Sequence, residues 1–384
     1  MINLFGSKVG KEELDEIRTS IENQWLGIGK KCQLFEERLA ERLGVRDFVM
    51  LNSGSNSLLL AVKLLGLPPG SEIIIPSFTW IACGHAAVLS GLKPVFCDVD
   101  LFTQNVTREL IEPHVTERTK AIMVVHYAGK PAKLDPIMKL DLPVIEDAAH
   151  AIDSKIGERY CGTVGDIGIY SFDAVKNLSI GEAGGLTSIH PEVTKKARML
   201  RYCGIGQSAM QKSLQKDGKR EGRWWEYDII DFFPKVIPDD IGASIGLAQL
   251  RKLDTHQKYR KWIWDLYVRE LSGLEWLELP VDAEPGEQHS YFTFLIRLKN
   301  DKRDALAKYL FENGIYTSLR FHPLHLNKIY GSEAKLPNCE LLNETALNIP
   351  LHPNLTEADI AKIIDTVKSF GRLHCSVRKE RQLS

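Results

Sequence analysis

From Asp47 to Ile189 short apolar runs alternate with helical segments, and this alternation narrows the fold more than any other feature of the chain. Asp47-Phe-Val-Met-Leu51 leads into a helix expected over Asn56–Leu65, and Glu72-Ile-Ile-Ile-Pro76 into one over Cys83–Ser90. Pro94-Val-Phe-Cys97, Ala121-Ile-Met-Val-Val125 and Pro143-Val-Ile-Glu146 follow, with short helices expected at Thr107–His114 and Leu134–Lys139. Ile167–Ser171 and Gly185–Ile189 read as two further strands. Runs this apolar are buried on both faces, and such strands joined through helices predict an α/β fold with a large, mostly parallel sheet. Helices are expected before it at Lys11–Gln24 and Gln33–Leu43. After Leu250 the character changes. A long helix, Ser244–Leu271, carries Trp262, Trp264 and Tyr267; a strand at Tyr291–Leu298 and helices at Arg303–Asn313 and Glu357–Phe370 follow. The reading is a large domain over residues 1–250 and a smaller C-terminal α+β domain over 251–384.

Composition removes several function classes. Of 384 residues, 44% are hydrophobic and 26% charged, with a formal net charge of −1, so no global field favours nucleic acid or an anionic membrane. The first twenty residues lack the basic start and apolar run of a signal peptide, and no run reaches the roughly 18 apolar residues of a membrane span. A cytoplasmic protein with no nucleic-acid or membrane partner is expected. The seven cysteines form no C-x-x-C pair, which argues against a disulfide framework or a zinc site. His85 and His322-Pro-Leu-His325 have no carboxylate or cysteine at ligand spacing, so no metal is expected. The basic insert Gln211–Arg220 reads first as a solvated loop and second as a lid over an anionic ligand.

Three features of the expected sheet carry chemistry. Asn52-Ser-Gly-Ser-Asn-Ser57 joins a strand to a helix, and a helix start with free N–H groups and flanking hydroxyls suits a phosphate, although Ser and Asn also cap helices that bind nothing. Asp147, in Val144-Ile-Glu-Asp147, stands past the carboxyl end of a strand, where open α/β sheets bind ligands. A carboxylate there suits a protonated pyridine nitrogen; its plain alternative is a helix cap. Ser171 falls at another strand end, and Lys176 follows it ahead of Gly181-Glu-Ala-Gly184. A desolvated lysine amine condenses with carbonyls to give a Schiff base, whereas most lysines simply point into water. Phosphate anchor, ring-nitrogen partner and Schiff-base lysine together are what pyridoxal 5′-phosphate requires. Trp80, after the strand ending at Pro76, suits stacking on the cofactor ring or plain core packing.

With these motifs in order, the chain resembles the DegT/DnrJ/StrS sugar aminotransferases, from about Leu4 to Phe370. The resemblance rests on Trp25-Leu-Gly-Ile-Gly29, Ser53-Gly-Ser-Asn56, Pro76-Ser-Phe-Thr-Trp80, Ile145-Glu-Asp-Ala-Ala-His150, Tyr170-Ser-Phe-Asp-Ala-Val-Lys-Asn177, Ile241-Gly-Ala-Ser-Ile-Gly246 and Pro323-Leu-His325. It implies the aspartate-aminotransferase-like type I fold. It implies Lys176 as the lysine bonded to the cofactor, Asp147 as partner of the pyridine nitrogen, Ser55, Asn56 and Ser171 as phosphate contacts, Trp80 as the stacking residue and His150 beside the ring hydroxyl. Lys235, in Phe233-Pro-Lys-Val-Ile-Pro238, falls where the family places an Asn or Lys that reaches the neighbouring subunit's cofactor, so a homodimer with shared active sites is implied. Ile237 replaces a usual polar residue there, and Ala183 a usual glycine.

The implied reaction takes nitrogen from an amino donor, expected to be glutamate, and passes it to a keto-deoxy sugar carried on a nucleotide. Two enzymatic alternatives stand beside it: a keto-cyclitol or other non-nucleotide acceptor, and a sugar 3-dehydratase on the same scaffold. The dehydratase relatives carry histidine where this chain has Lys176. A cofactor-bearing regulatory protein without turnover is the remaining alternative, disfavoured by the complete catalytic set.

Overall fold

The computed structural model describes residues 1–208, 223 and 225–375; the basic insert Gln211–Arg220 and the charged tail Arg378–Ser384 lie outside the described residues. Two helices open the chain, α1 (Lys11–Glu22) and α2 (Lys30–Leu43). There follow β1 (Val49–Leu51), α3 (Gly54–Leu64), β2 (Glu72–Pro76), α4 (Ile81–Leu89), β3 (Lys93–Cys97), β4 (Thr119–Val125), β5 (Val144–Asp147), β6 (Ile167–Ser171) and β7 (Gly184–Ser188). Helix α5 (Pro191–Leu200) and the long α6 (Asp240–Leu271) come next.

The strands form one seven-stranded sheet in the order β1-β7-β6-β5-β4-β2-β3. Neighbours from β3 across to β6 pair in parallel, while β7 runs against both β6 and β1. The middle strands are buried on both faces, as their unbroken Ile, Val and Met content requires. Parallel direction brings Pro76, Val125, Asp147 and Ser171 to one edge. The reversed β7 brings its first residue, Gly184, to the same edge, opposite Ser171 and Leu51.

Helix α2 starts at Lys30, earlier than the sequence pattern suggests, because a distant side chain caps it. The Asp240 carboxylate accepts the N–H groups of Gly29 (2.9 Å), Lys31 (3.3 Å) and Cys32 (3.0 Å). Helix α6 itself starts at Asp240, where Asp239 accepts the Gly242 N–H at 2.7 Å. Its 32 residues run on past residue 250 into a second apolar core. There Ile263, Trp264 and Tyr267 pack with a three-stranded antiparallel sheet of Leu277–Glu278, Phe294–Leu298 and Ala346–Ile349 and with helices Arg303–Glu312 and Glu357–His374. The expected strand from Tyr291 begins only at Phe294. Tyr291 takes a positive φ of 49°, and residues 290 and 292 bond instead to the 128–129 loop, Ser290 N to Gly129 O (3.3 Å) and Phe292 N to Ala128 O (2.9 Å).

The junction of β1 with α3 is held from behind by a buried ion cluster. Glu36 Oε1 accepts from Met50 N (2.8 Å) and from Arg201 Nη1 (2.5 Å), and Oε2 from Arg198 Nη1 (2.6 Å). Arg201 Nη1 also donates to Met50 O at 2.8 Å. Removing one partner of such a cluster leaves an uncompensated buried charge, at a cost of about 3–5 kcal/mol. Glu36→Ala should therefore lower the free energy of unfolding by about that amount, measured by chemical denaturation, while Glu41→Ala in the exposed pair with Arg38 should change it by less than about 1 kcal/mol. Equal effects would show that the cluster contributes no more than a surface pair.

Candidate active site

Helix α3 begins where β1 ends, and its first turn is pressed against the β6 and β7 ends. Ser53 is the extended N-cap, its Oγ accepting the Asn56 N–H at 3.1 Å, and its carbonyl accepts from Ser57 N at 3.1 Å. The helix itself bonds neither the Gly54 nor the Ser55 N–H. Glycine is needed here for closeness. A Cβ on Gly54 would lie 2.7 Å from Ser171 Cβ and 2.8 Å from its Oγ, and one on Gly184 would lie 2.5 Å from Gly54 N. Backbone donors, hydroxyls and the positive end of the α3 dipole thus converge on one small concavity, a setting for an anion.

Strand β5 presents two acids to opposite faces of the sheet. Glu146 points behind it and accepts from His126 Nε2 (2.9 Å) and from the N–H groups of Gly162 (2.7 Å), Val164 (2.7 Å) and Gly165 (2.5 Å). The Ala132 N–H donates to His126 Nδ1 at 3.0 Å, which leaves the ring proton on Nε2. Burial works against the Glu146 charge, yet His126 and the amides hold its pKa below the usual carboxylate value. Asp147 points the other way. Its Oδ1 accepts from Ala149 N (2.9 Å) and its Oδ2 from Cys83 Sγ (3.2 Å), and burial raises its pKa against the pull of these donors and of Lys176. A buried carboxylate with this little compensation favours a cationic partner.

After β6 the chain turns on Asp173, whose Oδ1 accepts the Val175 N–H at 3.0 Å. Asn177 fixes the far side of the turn, donating to Ser290 O (2.6 Å) and Gln257 Oε1 (3.1 Å). Lys176 Nζ is thereby set 4.7 Å from the centre of the Phe292 ring. Burial lowers its pKa from 10.5 to about 8, with Arg320 acting in the same direction and Asp147 and Asp173 opposing. His150 stacks on the same Phe292 ring, centroids 4.1 Å apart at 14°. Burial first, then the charges of Lys176 and Arg320, push the His150 pKa well below its ordinary value, and its buried Nδ1 has no hydrogen-bond partner among the described residues.

Ser55, Trp80, Asp147, His150, Ser171 and Lys176 share the wall of one cavity of about 400 Å³, with Gly54, Thr79, Glu182, Arg320 and Phe321. Trp80, the N-cap of α4, is 49% exposed and tilts against Phe321 at 5.4 Å. Two of the residues singled out in the sequence are not among the lining residues. Asn56 gives its N–H to Ser53 and its amide to Asn52 Oδ1 at 2.8 Å, and Lys235 lies over the Tyr202 ring at 5.3 Å. The Lys235 segment runs beside the α3 junction, where Val236 O accepts from Asn52 N at 3.1 Å. Phe292, under Lys176 and His150, escaped the sequence reading because its segment resembled a strand. A second cavity of about 390 Å³ touches His126 and Glu146, but their polar atoms are already satisfied within the protein. Among the described residues no group of three or more His, Cys, Asp or Glu is placed to hold a metal ion, and no helix is long and apolar enough to cross a membrane.

An amine this desolvated titrates early. In protein freed of any carbonyl ligand, acylation of Lys176 followed by mass spectrometry should rise through a midpoint near pH 8, below the value of about 10.4 for an exposed lysine in a model peptide. A Lys176 midpoint at the exposed value would show that water reaches the amine freely.

Residues 7–368 match the DegT/DnrJ/EryC1/StrS aminotransferase family. The dTDP-4-dehydro-2,3,6-trideoxy-D-glucose 4-aminotransferase of Saccharopolyspora spinosa is 36% identical over 384 residues, covering 98% of this chain and 99% of its own. Among solved structures, the aminotransferase TlmJ of Streptoalloteichus hindustanus superposes with a TM-score of 0.92 at 36% identity, covering 98% of this chain and 100% of its own. Spr1654 of Streptococcus pneumoniae, solved in a PLP-form, gives 0.88 at 25% identity, over 96% and 98% of the two chains. The residues present fit pyridoxal phosphate: a glycine-lined cradle that a Cβ would fill, a buried carboxylate short of cationic partners and a desolvated lysine amine on one cavity wall. The chain belongs to the DegT/DnrJ/EryC1/StrS aminotransferase family, with the type I fold and the pyridoxal 5′-phosphate cofactor of that family.

Proposed function

We propose that the protein transfers an amino group from glutamate to a keto-deoxy sugar carried on a nucleotide. The observation that carries the chemistry is Lys176 and Asp147 on one wall with the α3 cradle. The substrate class is supported by the Saccharopolyspora relative, whose name specifies a dTDP-linked keto sugar.

Bound pyridoxal phosphate supplies a carbonyl for the incoming amine and a ring that withdraws electrons from the substrate carbon. The protein supplies position and proton transfer. The Gly54 and Ser55 N–H groups, with the Ser55 and Ser171 hydroxyls, bind the phosphate. The Asp147 carboxylate holds a proton at the pyridine nitrogen. The Lys176 amine, with its pKa lowered to about 8, would act as the base that takes the proton from the donor's α-carbon. His150, kept neutral by burial, and Trp80, both on the cavity wall, would contact the ring of the bound cofactor, His150 at its hydroxyl and Trp80 at its face. We assign Asn56 to the edge of the phosphate site and Lys235 to the cofactor of a second subunit in a cytoplasmic homodimer. The apolar surface beside Lys235, with Phe232 87% exposed and Trp225, Tyr227 and Ile229 above half exposed, supports that partner. The division at residue 250 is kept as the proposed limit of the cofactor-binding unit, with α6 crossing it.

Lys176→Ala should abolish borohydride trapping of the cofactor on the protein and lower turnover by on the order of 10³-fold or more. Keto nucleotide sugars and a keto-cyclitol, each offered with glutamate and read by product mass, separate the acceptor classes. Normal turnover by the alanine variant would remove Lys176 from the mechanism, and conversion of the cyclitol alone would replace the nucleotide-sugar assignment. Gly54→Ala, which crowds Ser171, should weaken cofactor binding about tenfold, the worth of one or two lost hydrogen bonds. Equilibrium dialysis against the cofactor checks this, and unchanged affinity would place the phosphate elsewhere.

A further inference from the structure

Helix α4 starts past the end of β2, and its first turn reaches the end of β5. Cys83, on that turn, is fully buried, with its N–H donating to Trp80 O at 3.1 Å. Its Sγ lies 3.2 Å from Asp147 Oδ2 and 3.4 Å from Thr79 Oγ1, and Thr79 stands on the cavity wall. The direction of these two bonds follows from the acid. An ionised carboxylate only accepts, so the thiol proton points to Asp147, and the Thr79 hydroxyl donates to the sulfur. Burial, aided by the Asp147 charge, pushes the thiol pKa well above its ordinary value, so the group stays a donor. Among the described residues the Asp147 carboxylate receives one other hydrogen bond, from Ala149 N to Oδ1 at 2.9 Å. One donor on each oxygen fixes the plane of the carboxylate.

We propose that Cys83 is a positioning residue for the cofactor: its thiol, set by the Thr79 hydroxyl, aims the Asp147 carboxylate at the pyridine nitrogen, a role that rests on the pyridoxal phosphate site described above. The last torsion of an aspartate is broad, so a single hydrogen bond leaves the group free to swing. The Ala149 bond is local, the contact an Asp makes two residues on in turns that bind nothing. The thiol bond arrives from 64 residues earlier in the chain and ties the acid to the opposite part of the wall. A thiol is also a weak donor. It directs the oxygen while leaving most of its negative charge for a cationic ring. Packing alone asks only for a small apolar side chain here. Cys97, equally buried at the end of β3, serves that purpose, and its thiol makes no hydrogen bond among the described residues.

The test compares wild type, Cys83→Ala, Cys83→Ser and Cys97→Ala as holoenzymes. Equilibrium dialysis gives the affinity for pyridoxal phosphate, and absorbance of the bound cofactor against pH gives a midpoint. Cys83→Ala should weaken the affinity about tenfold, the worth of one hydrogen bond to a charged group. Its midpoint should move to higher pH, because a ring nitrogen less firmly protonated withdraws fewer electrons from the bond to Lys176. The half-reactions with glutamate and with the keto acceptor should slow by the same factor at unchanged half-saturating concentrations, since Asp147 serves both. Cys83→Ser, which keeps a donor, should lie between wild type and Cys83→Ala. Cys97→Ala should lose stability but keep the wild-type affinity and midpoint. Wild-type affinity and midpoint in Cys83→Ala, equal shifts in Cys97→Ala, or a serine variant as impaired as the alanine one would each overturn the assignment. If wild type holds the cofactor but glutamate never converts it, the transamination reading fails, while the affinity and the midpoint still decide the role of the thiol.

Discussion

The approach of two backbones at Gly54 and Gly184 is the constraint on which the cavity depends. The first turn of α3 can lie against the β6–β7 edge only because neither position carries a side chain. That approach turns the start of an ordinary helix into a binding surface, since it brings the Ser171 hydroxyl beside amides that the helix leaves unbonded. The sheet makes the approach possible. One reversed strand, β7, between β1 and β6 returns a chain start to an edge otherwise formed by strand ends. The Glu36 cluster then holds β1 from behind through Met50.

The charges on the cavity wall work against one another. Asp147 and Asp173 favour the charged form of Lys176, while burial and Arg320 oppose it, and burial wins by enough to bring the amine near neutral pH. The same burial keeps His150 uncharged. Burial lowers the proton affinity of Lys176 and raises that of Asp147, so these two lie closer together than they would in water, which suits proton transfer.

The strands that build the sheet were legible because burial on both faces leaves a continuous apolar run, and Glu72–Pro76 and Ile167–Ser171 coincide with the elements observed. The candidate residues at their ends were legible for the same reason: parallel strands deliver their last residues to one edge. What was hidden depends on partners far along the chain. The start of α2 is set by Asp240, more than 200 residues away, and no local pattern announces it. Tyr291 and Phe292 look like strand residues, yet the 128–129 loop takes their segment and turns Phe292 beneath Lys176. The neighbours of Asn56 are set by the local turn, its backbone N–H going to Ser53 Oγ and one amide N–H to Asn52 Oδ1.

Glu146, set behind the sheet and held by four donors, bears on its neighbour. Adjacent strand residues face opposite ways, so a slip of β5 by one position would carry Glu146 into the cavity and Asp147 out of it. His126, Gly162, Val164 and Gly165 would then each lose an acceptor inside the protein. The acid that never meets a substrate is in this sense the proofreader of the strand, making misalignment expensive at the one place where a shift of a single residue would exchange two carboxylates of nearly identical chemistry.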